Sequence, residues 1–127
     1  MNQIYKELLF VFPKSFNRKW RKLGFGYDDK ENLKRLISEY VRHAVEDERS
    51  FKFPGDLVSG TGGAIKMRFD SERSDQGKSG SYRIIYFVMV ENEIRFLKIY
   101  AKKDEANSSD EDRNLIHKYI KNMRRER

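Results

Sequence analysis

Residues 82–90 read Tyr-Arg-Ile-Ile-Tyr-Phe-Val-Met-Val, apolar at odd and even positions alike except at Arg83. Side chains along a strand point alternately to opposite faces, so a run apolar at both parities predicts a central strand covered on both sides. Any fold for this chain therefore needs one layer above that strand and another below it. Arg83 stands out as a cation in a segment otherwise suited to the interior.

The flanking segments supply those layers. In residues 64–70, Ile65, Met67 and Phe69 alternate with Lys66, Arg68 and Asp70, the period of a half-buried strand. The short polar stretch Glu91-Asn92-Glu93 allows a hairpin into a strand over residues 94–101. The apolar run of residues 8–12, ended by Pro13, predicts another buried strand. Phe16, Trp20 and Leu23 recur at helical spacing and predict a short helix over residues 14–23, closed by Gly24 and Gly26. Its outer face carries Lys14, Arg18, Lys19, Arg21 and Lys22 with no acid among them.

Leu33, Leu36, Ile37, Tyr40, Val41, Ala44 and Val45 trace the apolar stripe of a helix over residues 29–46. Asp28 and Glu31 have capping-box spacing at its start, and Lys34, Arg35, Glu39 and Arg42 read as its solvated side. Pro54-Gly55 and Gly60-Thr61-Gly62-Gly63 mark a loop. Ser108 and Glu111 are spaced to cap a last helix with the stripe Leu115, Ile116, Tyr119, Ile120 and Met123, and its basic end, residues 124–127, reads as frayed. Strand, two helices, three strands and a helix predict an α+β fold: an antiparallel sheet with a mixed edge, two N-terminal helices and a C-terminal helix. A chain of 127 residues fits one domain over residues 1–127.

Charge gives the first functional signal. Lys and Arg total 27 against 20 Asp and Glu, a net charge of +7, which draws polyanions toward the surface. There are no cysteines, which excludes disulfides, a thiol nucleophile and thiolate-ligated zinc. The opening residues Met-Asn-Gln-Ile-Tyr-Lys-Glu are too polar for a signal peptide, and no apolar run approaches membrane-spanning length. The expectation is a cytoplasmic protein that does not bind membranes.

Two motifs fail on context. Gly77-Lys78-Ser79 resembles the end of a phosphate-binding loop, but position 72 is Glu rather than the required glycine, and a strand follows where a helix is needed. Gly60 to Gly63 lacks the dinucleotide fingerprint and its βαβ setting. His43 and His117 have no helical partner with metal-ligand spacing and read as surface or boundary residues, so neither a metal nor a cofactor is expected.

What remains is a set of cations on the sheet. Lys66 and Arg68 share the non-core face of their strand. If Asn92-Glu93 forms the hairpin loop, Glu91 pairs with Ile94, and that register carried along the strands sets Lys102 across from Arg83. Lys98 and Tyr100 lie on the same face, and Lys78 sits in the loop at its end. Such a face suits RNA: arginine forks onto phosphate, lysine acts as a point charge whose pKa shifts when crowded, and Tyr100 could stack a base. Alternatively Asp70, Asp75 or Glu105 pairs with these cations and the face is merely solvated; spacing alone leaves both readings open.

The ordered segments GTGG (60–63), Lys66-x-Arg68, GKSG-x-x-Arg83-Ile-Ile-Tyr (77–86) and Tyr100-Ala-Lys102-x-x-Glu105 cover roughly residues 52–107. In that order, and on the expected strands, they resemble the RelE/ParE toxin superfamily, with the closer match to its HigB-like branch. The resemblance implies the toxin of a bacterial type II toxin–antitoxin system: an endoribonuclease that enters the ribosome and cuts mRNA without metal. In that chemistry the 2′-hydroxyl attacks the adjacent phosphate and leaves a 2′,3′-cyclic phosphate. The implied partners are the ribosome, mRNA and a cognate antitoxin, often a helix-turn-helix protein, which alone would bring the toxin to operator DNA.

By the resemblance, Arg83 contacts the scissile phosphate, and Lys66 and Arg68 are the basic pair of the preceding strand. Arginine stays protonated, so of that pair only Lys66 could act as a base. Lys102 or Lys103 fills the basic position after the last strand, balancing charge on the phosphorane. Lys78 matches the loop lysine. One departure stands: members close to RelE itself carry a base-stacking tyrosine where Ser108 and Ser109 lie here, with Tyr100 and Tyr119 as the available substitutes. The alternatives are a ParE-like gyrase poison, which generally lacks the full cation set, and an inactive antitoxin-binding or co-repressor module.

Overall fold

A computed structural model describes residues 7–70, 81–90, 92–107 and 110–125. In chain order the elements are β1 (Leu9–Val11), α1 (Lys14–Lys22), α2 (Tyr27–Glu46), β2 (Asp56–Leu57), β3 (Ile65–Asp70), β4 (Ser81–Val88), β5 (Glu93–Ala101), a 3-10 helix (Lys102–Asn107) and α3 (Asp110–Arg125). They build a five-stranded sheet in the order β1-β5-β4-β3-β2, so β4 is central, as its composition demands. β1 joins β5 in parallel while the other pairings are antiparallel, which makes the expected α+β fold with a mixed edge. β2 has no counterpart in the sequence reading, because two residues carry no period. It reaches β3 through Gly55, whose φ is +107° and whose side-chain position would lie 2.3 Å from the Lys66 carbonyl oxygen. Only glycine fits there.

The β4–β5 register differs from the expected one. Arg83 pairs with Tyr100, not Lys102, which lies beyond β5 in the 3-10 helix. Glu93 belongs to β5 rather than to the hairpin loop, and the Met89 N–H donates to its carbonyl at 2.9 Å. Farther along, Tyr86 faces Phe96 and Ile85 faces Lys98, which leaves Leu97 as an extra residue on β5. This bulge reverses which parity points where. Ile94, Phe96 and Ile99 all reach one core, while Lys98 and Tyr100 share the opposite face.

Both faces of β4 are covered. On one side α1 and α2 bury Phe16, Trp20, Leu33, Ile37 and Val41 against Met67, Phe69, Ile84, Tyr86 and Phe96. Aromatic rings run through this layer: Phe96 has ring centroids 4.5 Å from Phe12, 5.3 Å from Phe16 and 6.2 Å from Phe10. The buried Tyr86 hydroxyl donates to the Pro54 carbonyl at 2.6 Å, and burial raises its pKa. The helix stripes overreach at their rims, because a helix touches the sheet along a narrower line than its apolar arc. Leu36 and Tyr40 on α2 and Leu115 and Tyr119 on α3 are exposed.

The α2 cap also differs from the expected Asp28 and Glu31 pair. The helix starts at Tyr27, and the Gly26 N–H donates to the Asp29 carboxylate at 2.8 Å. The Trp20 indole N–H donates to the Gly26 carbonyl at 3.1 Å, fixing the α1–α2 corner.

On the other side, Ile120 of α3 meets Ala64, Ile85, Phe87 and Tyr100 in a smaller core. The end of α3, expected to fray, is anchored at Arg124. Its guanidinium donates to the Gly62 carbonyl at 2.7 Å and the Val88 carbonyl at 3.3 Å, and sits 5.7 Å from the Phe87 ring centroid. A side chain at Gly62, where φ is +80°, would come within 3.0 Å of His117. The Gly60–Gly63 loop is thus a docking seat for α3. Ser108, the expected α3 cap, lies outside the described residues.

Replacing Phe96 by Ala should cost roughly 3–5 kcal/mol, because it empties the centre of the larger core. Leu57→Ala, at an exposed edge, should stay within about 0.5 kcal/mol of wild type. Urea unfolding of the two variants measures both.

Candidate functional site

β3, β4 and β5 lay the candidate residues out in rows. One row runs Arg68, Arg83, Tyr100 across the three strands, and the next runs Lys66, Ile85, Lys98. All six side chains share the face on which α3 sits. α3 covers the end of that face near Ala64, Ile85 and Phe87, while the cations occupy the end where β5 runs into the 3-10 helix. Five of the expected site residues (Lys66, Arg68, Arg83, Lys98 and Tyr100) therefore come together.

Arg68 and Arg83 stand directly opposite one another, an unfavourable pairing of like charges. Arg68 reaches solvent, but Arg83 is only 7% exposed. Its guanidinium donates to the Ser81 hydroxyl at 3.2 Å and the Tyr82 carbonyl at 3.3 Å, and its Nε lies 3.8 Å from a Glu105 carboxylate oxygen. The other Glu105 oxygen accepts from the Lys66 ammonium at 2.8 Å. Two cations from adjacent strands thus converge on one carboxylate. The Lys66 hydrogen bond holds the Glu105 carboxyl below the usual carboxylate range; burial opposes this, and the charges of Lys66, Arg83 and Lys102 add to it.

The remaining expected residues are placed differently. Lys102 and Lys103 are exposed on the 3-10 helix, and Lys102 contributes charge at Glu105 instead of facing Arg83. Lys98 pairs with Asp112 of α3 at 3.4 Å and lies 6.0 Å from the Tyr100 ring centroid. Tyr100 is itself 9% exposed and packs within the smaller core, so its ring does not stand open to a base. Tyr119 is 38% exposed and packs edge-on against Phe87. Lys78, Asp75, Ser108 and Ser109 lie outside the described residues.

Glu105 is the residue that sequence reasoning did not place in the site. It entered only as one of three acids able to neutralise the face, and a six-residue 3-10 segment offers no period from which to aim it. The available signal was its position, three residues after Lys102 in the Tyr-Ala-Lys-x-x-Glu segment. Among the described residues no group of His, Asp and Glu could hold a metal ion, and no helix is long and apolar enough to cross a membrane.

A mixed sheet between two helical layers, with a cationic face gathered on one carboxylate, defines a small basic α+β protein. The sequence matches the model of the RelE toxin of the RelE/RelB toxin–antitoxin system over residues 14–126, and the chain belongs to that family. Membership makes it the toxin of a toxin–antitoxin pair, with a cognate antitoxin as partner. None of the curated proteins matches the chain.

The lowered Glu105 pKa has a definite sign. A carboxyl more acidic in the folded than in the unfolded state adds stability that is fully present above its unfolded pKa of about 4.3. That stability is lost as pH falls through the lower folded value. Wild type should therefore melt above Glu105→Gln at neutral pH, and the gap should close on acidification below the ordinary carboxylate range. A gap that persists unchanged to about pH 2 in thermal melts followed by circular dichroism would contradict the Lys66–Glu105–Arg83 link.

Proposed function

We propose that the chain is a ribosome-dependent mRNA endoribonuclease of the HigB-like branch, working in the cytoplasm and using the Lys66–Arg83 face as its active site. The observation that carries this reading is the convergence of Lys66 and Arg83 on the two oxygens of Glu105. A phosphodiester offers the same pair of anionic oxygens, and arginine with lysine is the donor set suited to it. In the resting protein Glu105 holds the place of the substrate phosphate.

On this reading Arg83 and Lys66 grip the scissile phosphate while Arg68 and Lys98 engage neighbouring ones. The substrate's 2′-hydroxyl gives up its proton, its oxygen forms a bond to phosphorus, and the bond from phosphorus to the 5′-oxygen breaks. That oxygen leaves with a proton, and a 2′,3′-cyclic phosphate remains. Negative charge grows on the equatorial oxygens of the phosphorane, where fixed cations in a partly buried site lower the barrier most. The lysines Lys66, Lys102 and Lys103 are the groups of the set that can take the hydroxyl proton as an amine or give one to the leaving oxygen as an ammonium, and each adds positive charge. Lys78, three residues ahead of β4 in the sequence, completes the proposed RNA contacts. The antitoxin, read as a helix-turn-helix protein, is the expected route to operator DNA.

Brief induced expression in a bacterium, followed by primer extension on an abundant transcript, tests this. Wild type should give cuts confined to translated codons, and Arg83→Ala should reduce them at least 100-fold, roughly the value of one transition-state donor. Because Arg83 is buried, a thermal melt must show the variant folded; Lys66→Gln, at a more open position, should also lose cleavage. Growth arrest with no cuts would overturn the nuclease reading and point to a protein target such as gyrase.

A further inference from the structure

α1 carries a charge of one sign only. Lys14, Arg18, Lys19, Arg21 and Lys22 are all exposed, and the helix has no acid in its first turn or beyond. Elsewhere the chain sets acids beside several of its surface cations: Lys34 with Glu31 at 3.0 Å, Arg42 with Glu46 at 3.5 Å, Arg95 with Glu93 at 3.0 Å and Lys98 with Asp112 at 3.4 Å. None of the ion pairs among the described residues involves α1.

Lys30 of α2 extends the patch, donating to the Asn17 side chain at 2.6 Å and lying 4.4 Å from the Phe12 ring centroid. Burial lowers the Lys30 pKa, and the charges of Lys34 and Arg21 push it the same way. Cations crowded in this manner repel one another until an anion arrives.

The patch and the proposed active site lie on opposite faces of the sheet. α1 is fixed through Phe16 and Trp20 to the larger core, whereas Lys66, Arg83 and Glu105 lie on the α3 side of the sheet. The chemistry of the patch selects its occupant. The outward positions of α1 are Lys, Ser and Arg, with no exposed apolar or aromatic anchor of the kind that dominates protein–protein interfaces. Its own aromatic residues, Phe16 and Trp20, are buried, so the helix itself offers no platform on which unpaired bases could stack. Phosphate-backbone contacts need neither, only cations spread along an element.

We propose that the outer face of α1 is a second polyanion site, which docks on the phosphodiester backbone of base-paired RNA. It lies across the sheet from the cleavage face and acts whether or not that face cuts.

A 2′-O-methyl RNA hairpin tests this, since it presents a paired backbone with no 2′-hydroxyl to attack. Its binding would be followed by fluorescence anisotropy from about 50 to 200 mM salt, a range over which phosphate contacts lose affinity steeply. Three proteins would be compared: wild type, an α1 variant (Lys14→Gln, Arg18→Gln, Lys19→Gln, Lys22→Gln) and a sheet-face variant (Lys66→Gln, Arg68→Gln). The α1 variant should bind at least tenfold more weakly, with the log–log salt slope reduced by about 0.7–0.9 per lost contact. The sheet-face variant should lose clearly less affinity for the paired hairpin than the α1 variant does, and replacing the three α1 lysines by arginine should preserve binding.

All four α1 positions are exposed, so the variant should melt with wild type. Equal affinity and slope for wild type and the α1 variant would overturn the proposal. So would loss of binding in the sheet-face variant alone, or an α1 variant that keeps the hairpin but loses a polyglutamate peptide, which would assign α1 to an acidic protein. Each outcome can be read even if the cleavage experiment fails.

Discussion

β4 needs cover on both faces, and the chain meets that need unequally. Toward α1 and α2 it is sealed by a broad layer of rings and branched side chains. Toward α3 the cover is a single helix that reaches only part of the strand, meeting Ile85 and Phe87 but stopping short of Arg83. At the end of β4 beyond Ile85, the 3-10 helix brings Glu105 against Arg83 and Lys66, and there charge collects. The site is thus a product of incomplete cover: α3 is seated by Gly62, Val88 and Phe87 through Arg124, and that seat fixes how much of the sheet is left over.

Arg83 then sits in a compromise between interior and surface. A guanidinium at 7% exposure needs polar partners: Nη1 donates to the Ser81 hydroxyl and the Tyr82 carbonyl, and the Glu105 carboxylate pairs with it electrostatically, 3.8 Å from Nε. The first two are local to β4 and stay with it. Glu105 comes from a 3-10 helix, whose hydrogen bonds are of poorer geometry and whose position shifts more readily. On the proposed reading, the same carboxylate that makes a buried arginine tolerable also stands between it and a phosphate. Substrate has to replace it in kind, anion for anion.

Much of this was legible in the sequence, and what was not has identifiable causes. The run around Arg83 declared a central strand, and the alternation of residues 64–70 declared which of Lys66, Met67, Arg68 and Phe69 face inward. The cation set assembled on one face because parity within β3 and β4 is unbroken. Across the hairpin, parity failed as a guide: a bulged residue and a longer turn both alter register without changing composition. Lys102 was misplaced for that reason. Tyr100 was assigned to the right face, but its burial depends on where α3 comes to rest. Glu105 was invisible as a site residue because it belongs to a segment whose direction is set by tertiary contacts. β2 was missed because its pairing depends on one glycine's freedom and not on any pattern.

The bulge at Leu97 has a consequence for how β5 responds to change. Before it, even-numbered positions face the larger core; after it, odd-numbered ones do. A strand of nine residues therefore carries two opposite codes in tandem, joined at a residue that pairs with nothing across the ladder. Tolerance to polar substitution along β5 should alternate, slip phase once at Leu97 and alternate again. Pairing Leu97 into the ladder as an ordinary residue would turn Ile99 outward and Lys98 inward, exchanging a charge on the α3 face for one in the interior, whereas deleting it would leave both where they are. One extra residue thus lets Ile94 and Phe96 before it and Ile99 after it reach the same core, while Lys98 and Tyr100 share the opposite face.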